Sequence, residues 1–364
     1  MNVAFCLFCY DNGQSGISTY CDNVIEELSK QDINLTIYTS AYHYKYFLEK
    51  NELNDNLNFH VANIYFGLLG ELIYHYFILP LLLKNKYDRV ILPVANRRLF
   101  ALRIKNVFGV FHDLSQIHIK NKYDKFRMFY INNVIKFFLR YITKVHCVSE
   151  STLIDVVNSY ELSKNKVIVN YNGHKFIEPN EFKPIDIPLK KYNISFVSRL
   201  EWPGKNHKAL LYAISLLPSA ILDNLNLILV GKDWGGQSHI EKLRDELKLT
   251  KQVHILGHLE NSELEWVYKE SDLFVHPSLY EGFGLPLLEA MQRNIPCICS
   301  NVGALNEVGG DAVVTFCPYD YKELSDKIGL LLLNPSLGKE LSQKGQIRCR
   351  DFSWSDHVSK LIYT

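Results

Sequence analysis

The sequence predicts two α/β domains of similar size, each a mostly parallel sheet wrapped by helices. Three observations carry that reading. The chain has 364 residues, more than one hydrophobic core ordinarily serves. Short apolar runs alternate with stretches of helical period along most of its length, as parallel α/β units require. Turn formers and prolines crowd together without periodicity at 172–190, where a boundary between domains belongs.

The elements follow in order. Residues 3–8 are almost wholly apolar and lead into the polar, glycine-bearing loop DNGQSG (11–16) and a helical pattern over 19–29: strand, phosphate-sized loop, helix. Strand-like runs recur at 35–38, 57–61, 90–93, 107–111 and 145–149, with Ser151 placed to cap a helix starting near Thr152. The second half opens with a strand at 193–197. Helix 205–217, strand 225–230, the glycine loop 231–236, helix 239–247, strand 253–256, helix 264–269 and strand 273–276 then repeat the first half's logic. A strand at 295–299, an acidic helix starting near Asp320 and a last helix over 355–363 complete the chain. The expected division is 1–172 for the first domain, 173–190 for the linker, 191–345 for the second domain, and 346–364 for a C-terminal helix returning to the first.

Bulk properties exclude several classes. Apolar residues make up 47% and charged residues 22%, as in ordinary globular proteins, so disorder is not expected. A formal charge of +1 gives no bulk support to nucleic-acid binding. Of eight cysteines, Cys6 and Cys9 have redox or zinc spacing, yet both fall in an apolar run where sulfurs fill a strand core, and no second ligand pair completes a zinc site. With no zinc ligand set completed and no signal-like segment before the first strand, a reducing cytoplasm is expected. Residues 64–83 are long and apolar enough to consider a bilayer span, but Glu71, His75 and Pro80 interrupt them. A helix docked in its domain is preferred to an interfacial or spanning one.

The strongest local signal is EGFGLPLLEA (281–290). Gly282 and Gly284 let the backbone turn closely around a ligand, and a helix starting near Leu285 or Pro286 presents unpaired N–H groups suited to a phosphate. Glu281 precedes that helix and Glu289 lies inside it, so two carboxylates can accept bonds from hydroxyls on different parts of one ligand. Just beyond the strand at 193–197, Arg199 and Lys205 supply charge that can clamp a diphosphate and stabilise it as a leaving group. In the first half His112 follows an apolar strand, with Asp113 either orienting a ligand or capping the next turn; Gly13 and Gly16 make a weak phosphate loop. The dinucleotide fingerprint, the P-loop and the Gly-x-Ser-x-Gly elbow are all missing from the sequence.

Together these residues resemble the large retaining glycosyltransferase family numbered four, which includes bacterial mannosyltransferases and relatives of glycogen and sucrose synthases. The resemblance runs from the 13–16 loop through His112-Asp113, VSES (148–151), Asn172-Gly173, Arg199, Lys205-Asn206, Gly231, the 281–289 motif and Glu307 to FSW (352–354). It implies two Rossmann-like domains facing across a cleft, the GT-B arrangement, with the acceptor mainly on the first and the nucleotide mainly on the second. By the same resemblance Arg199 and Lys205 hold the diphosphate, Glu289 takes the ribose hydroxyls, and Glu281 with the Phe283-Gly284 backbone and Leu285 addresses the donor. His112 would contact the transferred sugar, and Gly16 would lie near the phosphates or acceptor. It also implies transfer with retention, no metal and no cofactor beyond the nucleotide-sugar. The sequence departs from the family at Asn12-Gly13-Gln14-Ser15, Ser198, Gln292-Arg293-Asn294 and Asn306.

The version His112-Asp113-Leu114-Ser115 resembles GDP-mannose-dependent members that build surface polysaccharide such as lipopolysaccharide O-antigen, so mannose from GDP-mannose is the first expectation. UDP-glucose, UDP-galactose or a UDP-N-acetylhexosamine is the alternative, and a nucleotide-sugar epimerase a further one. The acceptor is expected to be a glycan or lipid-diphosphate-linked glycan. A basic and aromatic segment over 118–144, with Lys125, Arg127 and Arg140 beside Phe126, Phe129 and Phe137, suits peripheral contact with the inner face of the plasma membrane. The oligomeric state is left open.

Overall fold

A computed structural model of the chain describes residues 1–10, 16–50, 57–64, 67–120, 122–175 and 182–364. They form two compact units. The first comprises Met1–Gln116, Asn121–Lys175 and Ser353–Thr364; the second comprises Ile117–Lys120 and Phe176–Phe352. The loop carrying Gly13 lies outside the described residues, as does 176–181 of the expected linker.

In the first unit β1 (Asn2–Leu7), β2 (Asn34–Ser40), β3 (Asn58–Ala62), β4 (Arg89–Leu92), β5 (Val107–Phe111), β6 (Lys144–Cys147) and β7 (Val167–Val169) lie in the order β3-β2-β1-β4-β5-β6-β7. Every pairing is parallel. Strands buried on both faces need unbroken apolar runs, and β5, with all five residues buried, shows why VFGVF does not alternate. The order reverses between β1 and β4, so chain leaving those strands diverges and opens a crevice at their carboxyl ends.

The second unit repeats the plan. β8 (Tyr192–Val197), β9 (Leu225–Val230), β10 (Val253–Ile255), β11 (Leu273–His276), β12 (Cys297–Ser300) and β13 (Val314–Phe316) are ordered β10-β9-β8-β11-β12-β13, again parallel throughout. Its reversal lies between β8 and β11, the two strands that lead into Arg199 and Glu281. Ile194, Phe196, Leu227, Leu229, Leu273 and Val275 fill the core beneath.

The last helix, Trp354–Tyr363, packs within the first unit. Ser353 caps it, accepting from Asp356 N at 3.3 Å, and Trp354, Val358, Leu361 and Ile362 are buried. His357 Nε2 pairs with the Tyr20 hydroxyl at 2.8 Å, and Gly173 admits the helix start, since a Cβ there would lie 2.1 Å from Trp354 N.

Two local expectations need correction, and a third gains detail. Ser149, not Ser151, caps the helix Glu150–Tyr160: its backbone is extended and its hydroxyl accepts from Thr152 N at 3.0 Å, whereas Ser151 is already helical. Only Cys6 sits in β1; Cys9 lies beyond it, half-buried, with its sulfur 3.9 Å from that of Cys21. Within 64–83 the described residues Gly67–Leu83 form one helical run docked by a single face, as expected: Gly67–Ile73, a wider-wound stretch Tyr74–Ile78 and Leu79–Leu83 follow one another with helical backbone at each junction, the regular ladder being interrupted near Pro80, which has no N–H. His75, Leu79 and Leu83 are buried, but Leu69, Ile73, Phe77 and Leu81 face outward.

Candidate active site

The loop after β8 is pinned before it can present its charges. Asn206 sits in the left-handed region (φ 56°) at the start of helix His207–Ser215, and its side-chain amide donates to the carbonyls of Pro277 at 3.0 Å and Pro318 at 2.8 Å. Leu279 N donates to Gly204 O at 3.0 Å. These bonds tie the β8 loop to the β11 loop and bring Lys205 Nζ to 2.6 Å from Glu281 Oε1.

Glu281 receives two more donors on the same oxygen: Ser278 Oγ at 2.7 Å and His276 Nε2 at 3.0 Å. Burial opposes ionisation of this carboxyl, but the Lys205 ammonium and the His276 bond outweigh it and hold Glu281 well below the usual carboxylate range. Its own carbonyl accepts from Ala304 N at 3.0 Å, and a Cβ on Gly303 would come within 2.6 Å of that oxygen. Main chain and side chain of Glu281 are thus both fixed.

Past Glu281 the chain turns through Gly282 and Phe283 to Gly284, whose φ of 96° is left-handed and whose Cβ would meet Leu305 at 2.6 Å. Phe283 is buried edge-on against Phe352, with centroids 5.6 Å apart. The helix Leu285–Gln292 begins there, four residues after Glu281, with Pro286 in its first turn, where an N–H would have no partner inside the helix. Glu289 lies one turn in. Burial raises its pKa, opposed by the Tyr268 hydroxyl, which donates to Oε2 at 2.8 Å, and by Arg293. Arg293 is held by both oxygens of Glu265, with Nε to Oε2 at 2.7 Å, and donates to the Glu289 carbonyl at 2.8 Å.

Arg199 lies at the other side of the loop, its Nη2 3.0 Å from Glu201 Oε2 and its guanidinium 4.5 Å from the Trp234 ring centroid. Its neighbour Ser198 needs glycine opposite: Gly231 has φ 151°, and a Cβ there would lie 1.8 Å from Ser198 O. Arg199, Lys205, Gly282, Phe283, Gly284, Leu285, Glu281 and Glu289 therefore all belong to the carboxyl-end loops of β8 and β11 or the helix that follows β11.

His112 and Gly16 belong to the first unit. His112 follows β5, and Nε2 lies 2.8 Å from the Pro93 carbonyl, so that nitrogen carries the proton. Withdrawal from solvent pushes its pKa down to about 4, against the Pro93 bond, and it is neutral at pH 7. Tyr20 packs edge-on against it at 4.6 Å. Asp113 Oδ1 accepts from Ser115 N at 3.0 Å and Ser115 Oγ at 2.7 Å, the capping role. Gly16 starts the helix Gly16–Ser29, and among the described residues nothing lies within 4 Å of where its Cβ would be.

Sequence reasoning missed His276, Ser278, Tyr268, Arg293 and Glu265. The signal for the first two was local: a histidine ending an apolar strand five residues before Glu281, and a serine three before it, are donors within reach of it. Among the described residues no group of three or more His, Cys, Asp or Glu is arranged to hold a metal ion.

Residues 177–348 match the family described as Glycosyl transferases group 1, and residues 14–175 match Glycosyltransferase Family 4. The chain is a glycosyltransferase of the GT-B fold. The O-antigen chain mannosyltransferase B of Escherichia coli is 27% identical over 270 residues, which are 71% of this glycosyltransferase and 70% of that protein. The Serotype-specific mannosyltransferase WbdA of E. coli is 29% identical over 259 residues, 68% of this chain but only 32% of WbdA's length. Among solved structures, WaaG, a glycosyltransferase involved in lipopolysaccharide biosynthesis, superposes with a TM-score of 0.72 at 14% identity over 98% of each chain. Anabaena Alr3699/HepE in complex with UDP-glucose gives 0.73 at 16% identity over 99% of this chain and 98% of its own.

Proposed function

We propose that the enzyme transfers a hexosyl group, with retention, from a nucleotide diphosphate sugar to a hydroxyl of a glycan or lipid-linked glycan. The observation that carries this is Lys205 held against Glu281 at the start of helix Leu285–Gln292. An incoming diphosphate offers Lys205 a second counterion and the helix start a group to bond, with Arg199 adding charge. The charge that builds on the leaving diphosphate is then met by groups already in place. Glu281, kept ionised, accepts from hydroxyls of the transferred sugar, and Glu289 from those of the ribose.

In this reading the acceptor oxygen bonds to the anomeric carbon as the bond to the diphosphate oxygen breaks. The acceptor's proton passes to that departing oxygen on the same face, which preserves the configuration. His112, neutral and with its Nε2 proton given to Pro93, presents a ring acceptor for a sugar hydroxyl.

For the donor we take a UDP-hexose first, in keeping with the UDP-glucose complex of the HepE structure. GDP-mannose is the second reading, favoured by the mannosyltransferase names of the sequence relatives. Purified enzyme incubated with UDP-glucose, UDP-galactose, UDP-N-acetylglucosamine and GDP-mannose beside short lipid-diphosphate glycans, read by mass, decides between them. Isomerisation of a donor without transfer would replace both readings with an epimerase.

Contact with an anionic leaflet belongs to the same proposal. Phe126 (82% exposed) and Phe129 (61%) project beside exposed Lys125 and Arg127 on the first unit. Among the described residues no helix is long and apolar enough to cross a membrane.

A further inference from the structure

The chain that leaves His112 does not stay with one unit. Residues up to Gln116 belong to the first, Ile117–Lys120 to the second, and Asn121–Lys175 to the first again. Within the second unit this short segment packs on both loops that supply the donor site. His118 lays its ring flat on that of Tyr280, with centroids 4.1 Å apart and planes 11° from parallel. Ile119 is buried, and its Cδ1 lies 3.2 Å from where a Cβ on Gly204 would stand. Tyr280 immediately precedes Glu281, and Gly204 immediately precedes Lys205. The segment therefore touches the chain neighbour of each member of the ion pair that closes at 2.6 Å.

We infer that His118 is a positioning residue for sugar transfer: its ring braces Tyr280 and, through Tyr280, sets the carboxylate of Glu281 where the transferred sugar needs it. Tyr280 is buried although it lies in a loop, and a ring stack is directional, so it fixes orientation where an aliphatic contact would only cover the surface. Gly303 confines the same two residues, since a Cβ there would lie 2.6 Å from the Glu281 carbonyl oxygen and 3.4 Å from Cδ2 of Tyr280. The chain on either side of the segment is itself tied. Ser115 donates to Asp113 Oδ1 through its N at 3.0 Å and its Oγ at 2.7 Å, and Lys122 Nζ donates to Ser115 Oγ at 2.8 Å. A loop held closed at its base loses less freedom when its tip docks, which gives the Asp113, Ser115 and Lys122 bonds a purpose beyond capping. His118 is exposed, so the core of the second unit does not depend on it. Catalysis is more sensitive, because misplacing a group by about 1 Å at a reacting centre can cost about a hundredfold in rate.

This inference rests on the reading of Glu281 as the group that meets the transferred sugar. It is tested on the full chain with His118→Ala, His118→Phe and Glu281→Gln, each checked for native circular dichroism. Without ligand, hydrogen exchange in peptides covering 198–206 and 277–284 is expected to quicken about tenfold in His118→Ala and to stay near wild type in His118→Phe, which keeps the ring. With UDP-glucose, UDP-galactose, UDP-N-acetylglucosamine or GDP-mannose beside lipid-diphosphate glycans, kcat is expected to fall about tenfold in His118→Ala and to return to within about threefold in His118→Phe. Affinity for UDP or GDP, titrated alone, is expected to change less than about twofold in either His118 variant. Unchanged exchange or unchanged kcat in His118→Ala, or a phenylalanine variant as impaired as the alanine one, would overturn the brace. Nucleotide affinity falling in step with kcat would overturn it as well, as a general loosening of the site. If Glu281→Gln is inactive while His118→Ala is fully active, the brace alone falls. Wild-type transfer rates in Glu281→Gln, or no transfer by the wild type from any donor, would remove the donor-site reading and this inference together.

Discussion

Lys205 and Glu281, 76 residues apart in the chain, meet at 2.6 Å with each side chain only 15% exposed. Their loops leave neighbouring strands, β8 and β11, on the two sides of the point where strand order reverses. A buried ion pair of this kind is weak evidence for stability, because desolvating both charges costs much of what their attraction returns. Its position at a helix start makes better sense as a charge held ready for a ligand.

Removing one partner should hurt more than the pair helps. Lys205→Met leaves Glu281 with His276 and Ser278 but without its cation, and we expect a loss of roughly 3 kcal/mol in denaturant unfolding. The double variant Lys205→Met, Glu281→Leu should recover part of that loss. If the single variant is as stable as the parent, the pair is solvated and the burial argument fails.

Glu289 should behave in the opposite sense. A carboxyl whose folded pKa is raised stabilises the fold only while protonated, and that contribution is lost as pH rises through the folded value. Burial raises Glu289, so at pH 7 its charge is a cost in the ligand-free enzyme. Glu289→Gln is therefore expected to raise the melting temperature without nucleotide. It should also weaken UDP or GDP binding by about 10- to 100-fold, since bonds to a charged acceptor are lost. Differential scanning fluorimetry with and without nucleotide reads both effects.

Acid should unfold the protein through its histidines before its carboxylates. Burial is the first cause of the lowered values of His75, His146, His207 and His357, each at about 3, and of His112, at about 4. A group with a depressed folded pKa contributes stability above its unfolded value, near 6.5, and loses it as pH falls toward the folded one. Unfolding free energy should drop steeply from about pH 6.5 toward pH 4, with several protons taken up. A flat profile between pH 7 and pH 5 would show these rings solvated.

Gly231→Ala tests the backbone that supports Arg199. A Cβ would lie 1.8 Å from Ser198 O at a φ of 151°, so the β8 and β9 loops must separate. We expect a loss of about 3 kcal/mol or more, with nucleotide binding weakened beyond what stability explains. Gly16→Ala, whose new Cβ meets nothing within 4 Å among the described residues, serves as the contrasting fold control.

Much of this was legible because the information was local. The pair Glu281 and Glu289 sits in one unbroken motif whose glycines announce a turn and whose proline announces a helix start. The apolar runs of β5 and β9 could not be other than buried parallel strands. What escaped was set by partners distant in sequence. Nothing near Lys205 says that it meets Glu281, and nothing near Glu71 says that it meets Ser40, His43 and Arg98. For Gly67–Leu83 hydrophobicity gave a docked helix but not which face is buried, nor the wider winding at Tyr74–Ile78. Ser151 misled because two serines flank Glu150, and only the extended backbone of Ser149 distinguishes the cap.

The measurement that bears most directly on the whole account is sugar transfer, followed by mass, from the nucleotide-sugar panel to lipid-diphosphate glycans by the wild-type enzyme and by a folded Glu281→Gln variant. We expect one donor to be used by the wild type, and transfer to fall at least about a hundredfold in the variant, as loss of a preorganised charged group at the reacting sugar requires. Equal transfer by both enzymes would contradict the site proposed here.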